Sequence, residues 1–255
     1  MERWPWLLKI RLLGDFGLER DGAVLDLGVK PPTRALDILL ALAVAKDHSV
    51  SLEKLQDWLW PDLDGDQARA ACEQALHRLR KLLGQADFVI QREGKLRLAT
   101  DKVWVDLGAW EARLKQAQMS KTPMELERAL RDFPGPLLPH GRLTNWLMPA
   151  AERLRSQFID LTGRVAAERA AQGDDEEARS LYWRALDFYP DSVSISKALI
   201  EGRLAQGDAA GAMAEYARYE RAAKAGPDGE PSPVIRALLD RILEPGGKTR
   251  RAGER

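Results

Sequence analysis

The segment Ala171-Gln172-Gly173-Asp174 returns 34 residues later as Ala205-Gln206-Gly207-Asp208, and the register continues past it, with Ala178 returning as Ala212 and Tyr182 as Tyr216. A period of this length accommodates two helices and their turns. Glycine lets one helix stop in a left-handed turn, and the aspartate after it caps the next. The small Ala178 and Ala212 allow the two helices of a pair to approach closely. Such a pair cannot bury its apolar face alone, so it stacks on its neighbours and offers a concave surface to a partner. The C-terminal half is therefore expected to be an all-α binding scaffold. What it serves must be read from the N-terminal half.

Bulk charge says little there, because 39 Lys and Arg balance 39 Asp and Glu. Local charge says more. Between Arg69 and Lys102 eight basic residues meet four acidic ones, a net of +4 within residues 1 to 106, which are otherwise acidic. An excess of this kind is what an edge facing nucleic acid requires. No apolar run approaches the ~20 residues of a membrane span. Met1 to Pro5 lead into no signal sequence, and the lone Cys72 fits a reducing cytoplasm. A cytoplasmic protein without membrane contact is expected.

Trp6 to Leu13 reads as a strand, and Gly17–Arg20 and Val24–Leu27 flank Asp21-Gly22, a hairpin signal. Pro31-Pro32 ends extended structure, and Thr33 is expected to cap a helix running to about Lys46. Ser51 caps a second helix to Trp60, and Asp64 or Asp66 opens a third that Gly84 closes. On that third helix Cys72, Ala75, Leu76, Leu79, Leu82 and Leu83 form an apolar stripe. Phe88 to Gln91, a turn at Arg92-Glu93-Gly94, and Lys95 to Leu98 make a hairpin. Three helices followed by a two-stranded wing is the winged variant of helix-turn-helix, whose third helix enters the major groove. Arg69, Gln74, His77, Arg78, Arg80 and Lys81 are the candidate groove and phosphate contacts on that helix. Arg92, Lys95 and Arg97 are the candidates on the wing, and Lys30 and Arg34 those at the first helix's start, where backbone N–H groups favour phosphate.

From Val105-Asp106-Leu107 onward the pattern is helical, with helices over Trp110–Ala117 and Pro123–Asp132, a proline-rich loop, a long helix over Trp146–Ala171, and then the repeat pairs. The last stretch from Pro245 is basic and glycine-rich and reads as a disordered tail.

Several segments together resemble the SARP-type bacterial transcriptional regulators, which join an OmpR/PhoB-type winged helix to a tetratricopeptide-like bacterial transcriptional activation domain. They are Leu12-Leu13-Gly14-Asp15-Phe16, Leu59-Trp60-Pro61-Asp62, Ala68-Arg69, Leu79 to Gly84 and Val103 to Leu107, followed by Gly135 to Pro139, Glu152-Arg153-Leu154 and Glu230-Pro231-Ser232-Pro233. The resemblance implies a mainly α fold with a small β component: a DNA-binding winged helix over residues 1–106, a helical activation domain over 107–243, and a tail over 244–255. It also implies a transcriptional regulator of the activator kind, with double-stranded DNA and RNA polymerase as partners and a helical domain that serves either homodimerisation or contact with RNA polymerase. Ala71 and Glu73 stand where that family carries polar or basic residues. An acidic residue on a groove-facing helix repels phosphate, which supports an alternative: an adaptor whose winged helix binds protein and not DNA. A third reading has the helical domain bind a small-molecule effector.

Other patterns have plainer explanations. Asp62-Leu63-Asp64-Gly65-Asp66 resembles a calcium loop, but such a loop wants glycine at its sixth position, where Gln67 stands. Cys72 lies on the apolar stripe, so a buried structural thiol is expected. His48 and His140 have no second ligand at metal spacing. Trp58, Trp60, Trp104, Trp110, Trp146 and Trp183 are expected to fill cores and the domain junction. No nucleophile–base set, phosphate-binding loop or cofactor motif is present, so neither an enzyme nor a cofactor is expected.

Overall fold

The computed structural model describes residues 6–120, 122–139, 144–226 and 229–243. The expected tail and His140 lie outside them. Packing divides the chain into two compact units, residues 1–154 and 155–255.

The first unit opens with a sheet of order β3-β2-β1-β7, built from β1 (Leu8–Arg11), β2 (Gly17–Arg20), β3 (Ala23–Val24) and β7 (Val103–Val105). Asp21 and Gly22 both take positive φ, 52° and 84°, the backbone of a tight hairpin whose twist matches its strands. The third strand is shorter than expected. β7 was not expected as a strand at all; it pairs parallel to β1, with Val103 and Val105 buried on one face.

α1 (Thr33–Val44) starts where expected, but Thr33 is its first residue and not its cap. The helix stops at Val44, before Lys46, because Ala45 swings to extended backbone, φ −72° and ψ 146°, and Asp47 and His48 then take positive φ in the turn that follows. β4 (Ser49–Ser51) follows and leads into α2 (Leu52–Leu59), where Ser51 accepts the Lys54 N–H. α3 (Gly65–Leu83) runs between two strong signals. Asp64 accepts the Gln67 N–H at 2.9 Å, and Gly84 takes φ 78°. A side chain at Gly84 would also collide with Arg20, whose guanidinium donates to the Leu83 carbonyl at 2.8 Å. The wing, β5 (Val89–Arg92) and β6 (Lys95–Leu98), forms a three-stranded sheet of order β4-β6-β5. β4 is thus a strand that the sequence did not announce, and it makes β6 central.

α4 (Asp106–Ser120) and α5 (Pro123–Arg131) complete this unit's core, with Trp110 buried, donating to the Ala129 carbonyl and packed 5.0 Å from Phe133. Asp106 holds α4 to the first sheet. Its carboxylate accepts the N–H groups of Leu12 at 2.9 Å, Leu13 at 3.0 Å and Leu107 at 2.7 Å. Burial pushes this carboxyl above the ordinary aspartate range, and the three N–H donors and Arg11 offset only part of that. The segment Gly135 to Pro139 is tied down nearby. Leu138 donates to the Leu12 carbonyl, Gly14 donates to the Pro136 carbonyl, and Leu137 bridges to Leu13. Two of the segments that carry the family resemblance therefore bind each other.

α6 (Met148–Ala171) begins two residues later than Trp146 and passes the division between the units. The second unit continues with α7 (Asp175–Phe188), α8 (Val193–Ala205), α9 (Ala209–Ala225) and α10 (Pro233–Leu243). The repeat behaves as its residues demand. Gly173 and Gly207 take φ 85° and 73°. Asp174 accepts the Glu177 N–H, and Asp208 accepts the Gly211 N–H at 2.8 Å. Ala178 and Ala212 are buried. Tyr216 and Tyr219 sit in a core with Ile200, Ile235, Leu238 and Ile242. The Tyr219 hydroxyl accepts the Ser232 N–H at 3.1 Å, fixing the Glu230-to-Pro233 segment where α10 starts.

Candidate nucleic-acid interface

α3 buries Ala68, Cys72, Ala75, Leu76, Leu79 and Leu83, and leaves Leu82 half-buried. Burial, and secondarily the charge of Glu73, raises the Cys72 thiol, so it stays protonated and unreactive at neutral pH. The helix turns about 100° per residue, and its exposed arc carries Arg69, Glu73, Gln74, His77, Arg78 and Lys81. On that arc His77 and Lys81 are central, Glu73 and Gln74 flank them on opposite sides, and Arg69 and Arg78 lie at the edges.

The candidate cations on this helix are not equivalent. Arg69 is held by Glu73 one turn on, at 3.3 Å, with both side chains exposed. Exposed pairs of this type are worth ~0.3–0.5 kcal/mol and are readily exchanged for another anion. Arg80 is different. It is half-buried, and its Nη2 donates to the Val89 carbonyl at 3.1 Å, bracing the end of α3 against β5. Its Nε is buried and has no hydrogen-bond partner among the described residues. Arg78 and Lys81 are exposed and make no ion pair among the described residues.

The wing is stiff at both ends. Glu93 and Gly94 take φ 51° and 72°, the two positive values of a tight hairpin turn. The Gly94 carbonyl accepts the Leu52 N–H at 2.8 Å, which ties the wing tip to the start of α2. Arg92 pairs with its neighbour Glu93 at 3.2 Å. Along β6 burial alternates, with Leu96 and Leu98 inward and Lys95 and Arg97 exposed. At the wing's base Lys102 and Asp87 pair at 2.6 Å, lowering the Asp87 carboxyl and raising the Lys102 amine.

Of the remaining candidates, Lys30 is exposed in the bend before α1. Arg34 pairs with Asp37 at 3.3 Å and lies 5.9 Å over the Trp60 ring. Arg34, Lys95 and Arg97 line one cleft, and no α3 residue lines it. The tryptophans divide as well. Trp110 is buried, and Trp58, Trp60, Trp104 and Trp146 are half-buried. Trp183 does not fill a core; it is 45% exposed, with its ring N–H on Glu215 at 3.1 Å. The roles of Arg20 and Asp106 were invisible in the sequence, because each acts on backbone groups far along the chain.

Among the described residues no cluster of His, Cys, Asp or Glu could hold a metal ion, and no helix is long and apolar enough to cross a membrane.

The family model of the bacterial transcriptional activator domain matches residues 106–243. None of the curated proteins matches the sequence. Among solved structures the chain is similar to Mycobacterium tuberculosis EmbR in complex with a low-affinity phosphopeptide, at 23% identity and a TM-score of 0.60. The likeness covers 93% of this chain and 65% of that one, so the chain spans just under two thirds of the protein it matches. At that identity the likeness establishes the fold, a mainly α chain with an N-terminal winged helix and a helical domain after it.

Proposed function

Since this chain belongs to the bacterial transcriptional activator domain family, we propose that it is a sequence-specific DNA-binding transcriptional activator, with a winged helix over residues 1–106 that reads DNA and a helical domain over 107–243 that contacts RNA polymerase or a second copy. One observation carries the reading: a doubly capped α3 presents Gln74, His77, Arg78 and Lys81 to solvent, next in sequence to a wing with exposed Arg92, Lys95 and Arg97. Glutamine and arginine read base edges, and the other cations neutralise phosphates. The work is that of a regulator in the cytoplasm and calls for no catalytic group.

Selection of duplexes from a randomised pool by the full chain at low salt tests this. A consensus should emerge, with affinity falling by a log–log salt slope of about −0.9 per phosphate contact. Arg78→Ala should weaken binding, and Arg203→Ala should not. Failure to enrich any duplex favours the adaptor reading instead. The observation behind that alternative is specific: Glu73 pairs with Arg69 and the Val89 carbonyl accepts from Arg80, which leaves Arg78 and Lys81 as the helix's cations without an ion pair among the described residues.

A further inference from the structure

The exposed face of β6 belongs to a second neighbourhood. Lys95 and Arg97 share a cleft of about 1600 Å3 with Arg34, Lys46, Lys54 and Arg153. Five separate stretches of chain supply these six cations: α1, the turn after it, α2, β6 and the start of α6. All six are exposed. Arg34 is paired with Asp37, and Lys54 lies 4.6 Å over the Trp58 ring. Lys46, Lys95, Arg97 and Arg153 have no carboxylate partner among the described residues. Convergent unpaired cations repel one another, and the field they create attracts an anionic partner.

The remaining lining says what kind of anion. Asp47, Asp57 and Asp62 also line the cleft, so its net charge is +3 and both signs are present. Trp58 and Trp146 are stacked, 5.7 Å apart and 14° from parallel. Lys54 and Trp146 both lie against the Trp58 ring, so it is an apolar wall and not an open stacking platform. Ser49, Ser51, Thr144 and Asn145 add short neutral hydrogen-bonding groups. The volume exceeds the ~300–1,000 Å3 of ordinary small-molecule sites.

We propose that this cleft binds an extended acidic peptide segment of a partner protein. The three aspartates would repel an unbroken ladder of phosphates, whereas a peptide can space its carboxylates between them. An engaged tryptophan offers nothing to a nucleic-acid base, which needs a free aromatic face. Short polar side chains suit the amide groups of a peptide main chain, and the apolar wall suits a side chain between its acids. Arg34, Lys95 and Arg97 are shared with the residues assigned to DNA, so the test is placed on Lys46, Lys54 and Arg153, which are not.

The test uses the full chain and a fluorescein-labelled poly-glutamate peptide, read by anisotropy at low salt, with a random duplex measured in parallel. The wild type should bind the peptide, and Lys54→Glu with Arg153→Glu should weaken it by about tenfold with an unchanged melting temperature and unchanged duplex affinity. Should that pair of reversals disturb folding, Lys46→Glu is the substitute, and a loss of about threefold is expected on the same grounds. No peptide binding by the wild type, or equal binding by the folded variants, would overturn the proposal. So would a variant that loses duplex affinity as much as peptide affinity, because the cleft would then serve nucleic acid.

Discussion

Asp106→Ala should destabilise the first unit by about 3 kcal/mol. The carboxylate accepts three buried N–H groups, and two of them, on Leu12 and Leu13, lie more than ninety residues away. Stranding a buried donor costs ~1–3 kcal/mol, so those two alone put roughly 2–6 kcal/mol at stake. Removing a desolvated carboxylate returns part of this, and the raised carboxyl is the sign of that desolvation. The net of about 3 kcal/mol lies in the lower half of that range and lowers the melting temperature by roughly 6–12 °C for a chain of this size. The same group sets a pH dependence. Its folded pKa lies above its unfolded one, so the folded state holds the proton more tightly. Its contribution is then complete below the unfolded value and is lost as pH rises through the folded value. Urea unfolding of wild type and Asp106→Ala, followed by tryptophan fluorescence at several mildly acidic pH values, measures both effects. A loss below about 0.5 kcal/mol, or an identical pH slope in both proteins, would refute the reasoning.

Other substitutions separate structural from binding roles. Arg80→Ala should cost about 1 kcal/mol of stability by removing the bond to the Val89 carbonyl, while Arg78→Ala should leave stability unchanged and lower duplex affinity; thermal melts beside anisotropy titrations tell the two apart. Asp208→Ala removes the cap of α9 and should cost about 1 kcal/mol in thermal unfolding, more than Asp174→Ala, whose bond to the Glu177 N–H is longer, 3.4 Å against 2.8 Å.

What could be read ahead of the structure were features written in short stretches of chain. The 34-residue echo, Ser51, Asp64 and Gly84, and the tight turns at Asp21-Gly22 and Glu93-Gly94 all act within a few residues of themselves. What escaped was written across distance. β7 joins β1 from some ninety residues away, and β4 finds β6 across two helices. Each is three residues long, too short to show alternation against its surroundings. Arg80 was misleading for a related reason. Its place on the helix marks it as surface, and only the arrival of β5 turns its guanidinium inward. The cleft was invisible because its six cations are spread over 120 positions of chain, from Arg34 to Arg153.

The same contrast bears on where the N-terminal half can be cut. The family model begins at Asp106 and packing divides after Leu154, and between these limits lie the groups that close the first sheet. A fragment of residues 1–106 keeps β7 and the Asp106 carboxylate but lacks Leu138, which bonds Leu12, and Pro136, which bonds Gly14. It also lacks α4, which packs on β1, β7 and α1 and buries Leu107 and Trp110. Each buried apolar side chain of that size is worth ~1.5–3 kcal/mol, and a small domain has roughly 5–15 kcal/mol in all. Residues 1–154 should therefore unfold cooperatively, while 1–106 should be marginal, with a melting temperature lower by 10 °C or more on the ~4–8 °C per kcal/mol of a domain of this size. Matching two-state melts for the two fragments would show that α4 and the Gly135–Pro139 segment contribute nothing to the winged helix. If the melts differ as expected, absence of DNA binding by the shorter fragment reports on its folding, and the longer one is the fragment on which the interface can be judged.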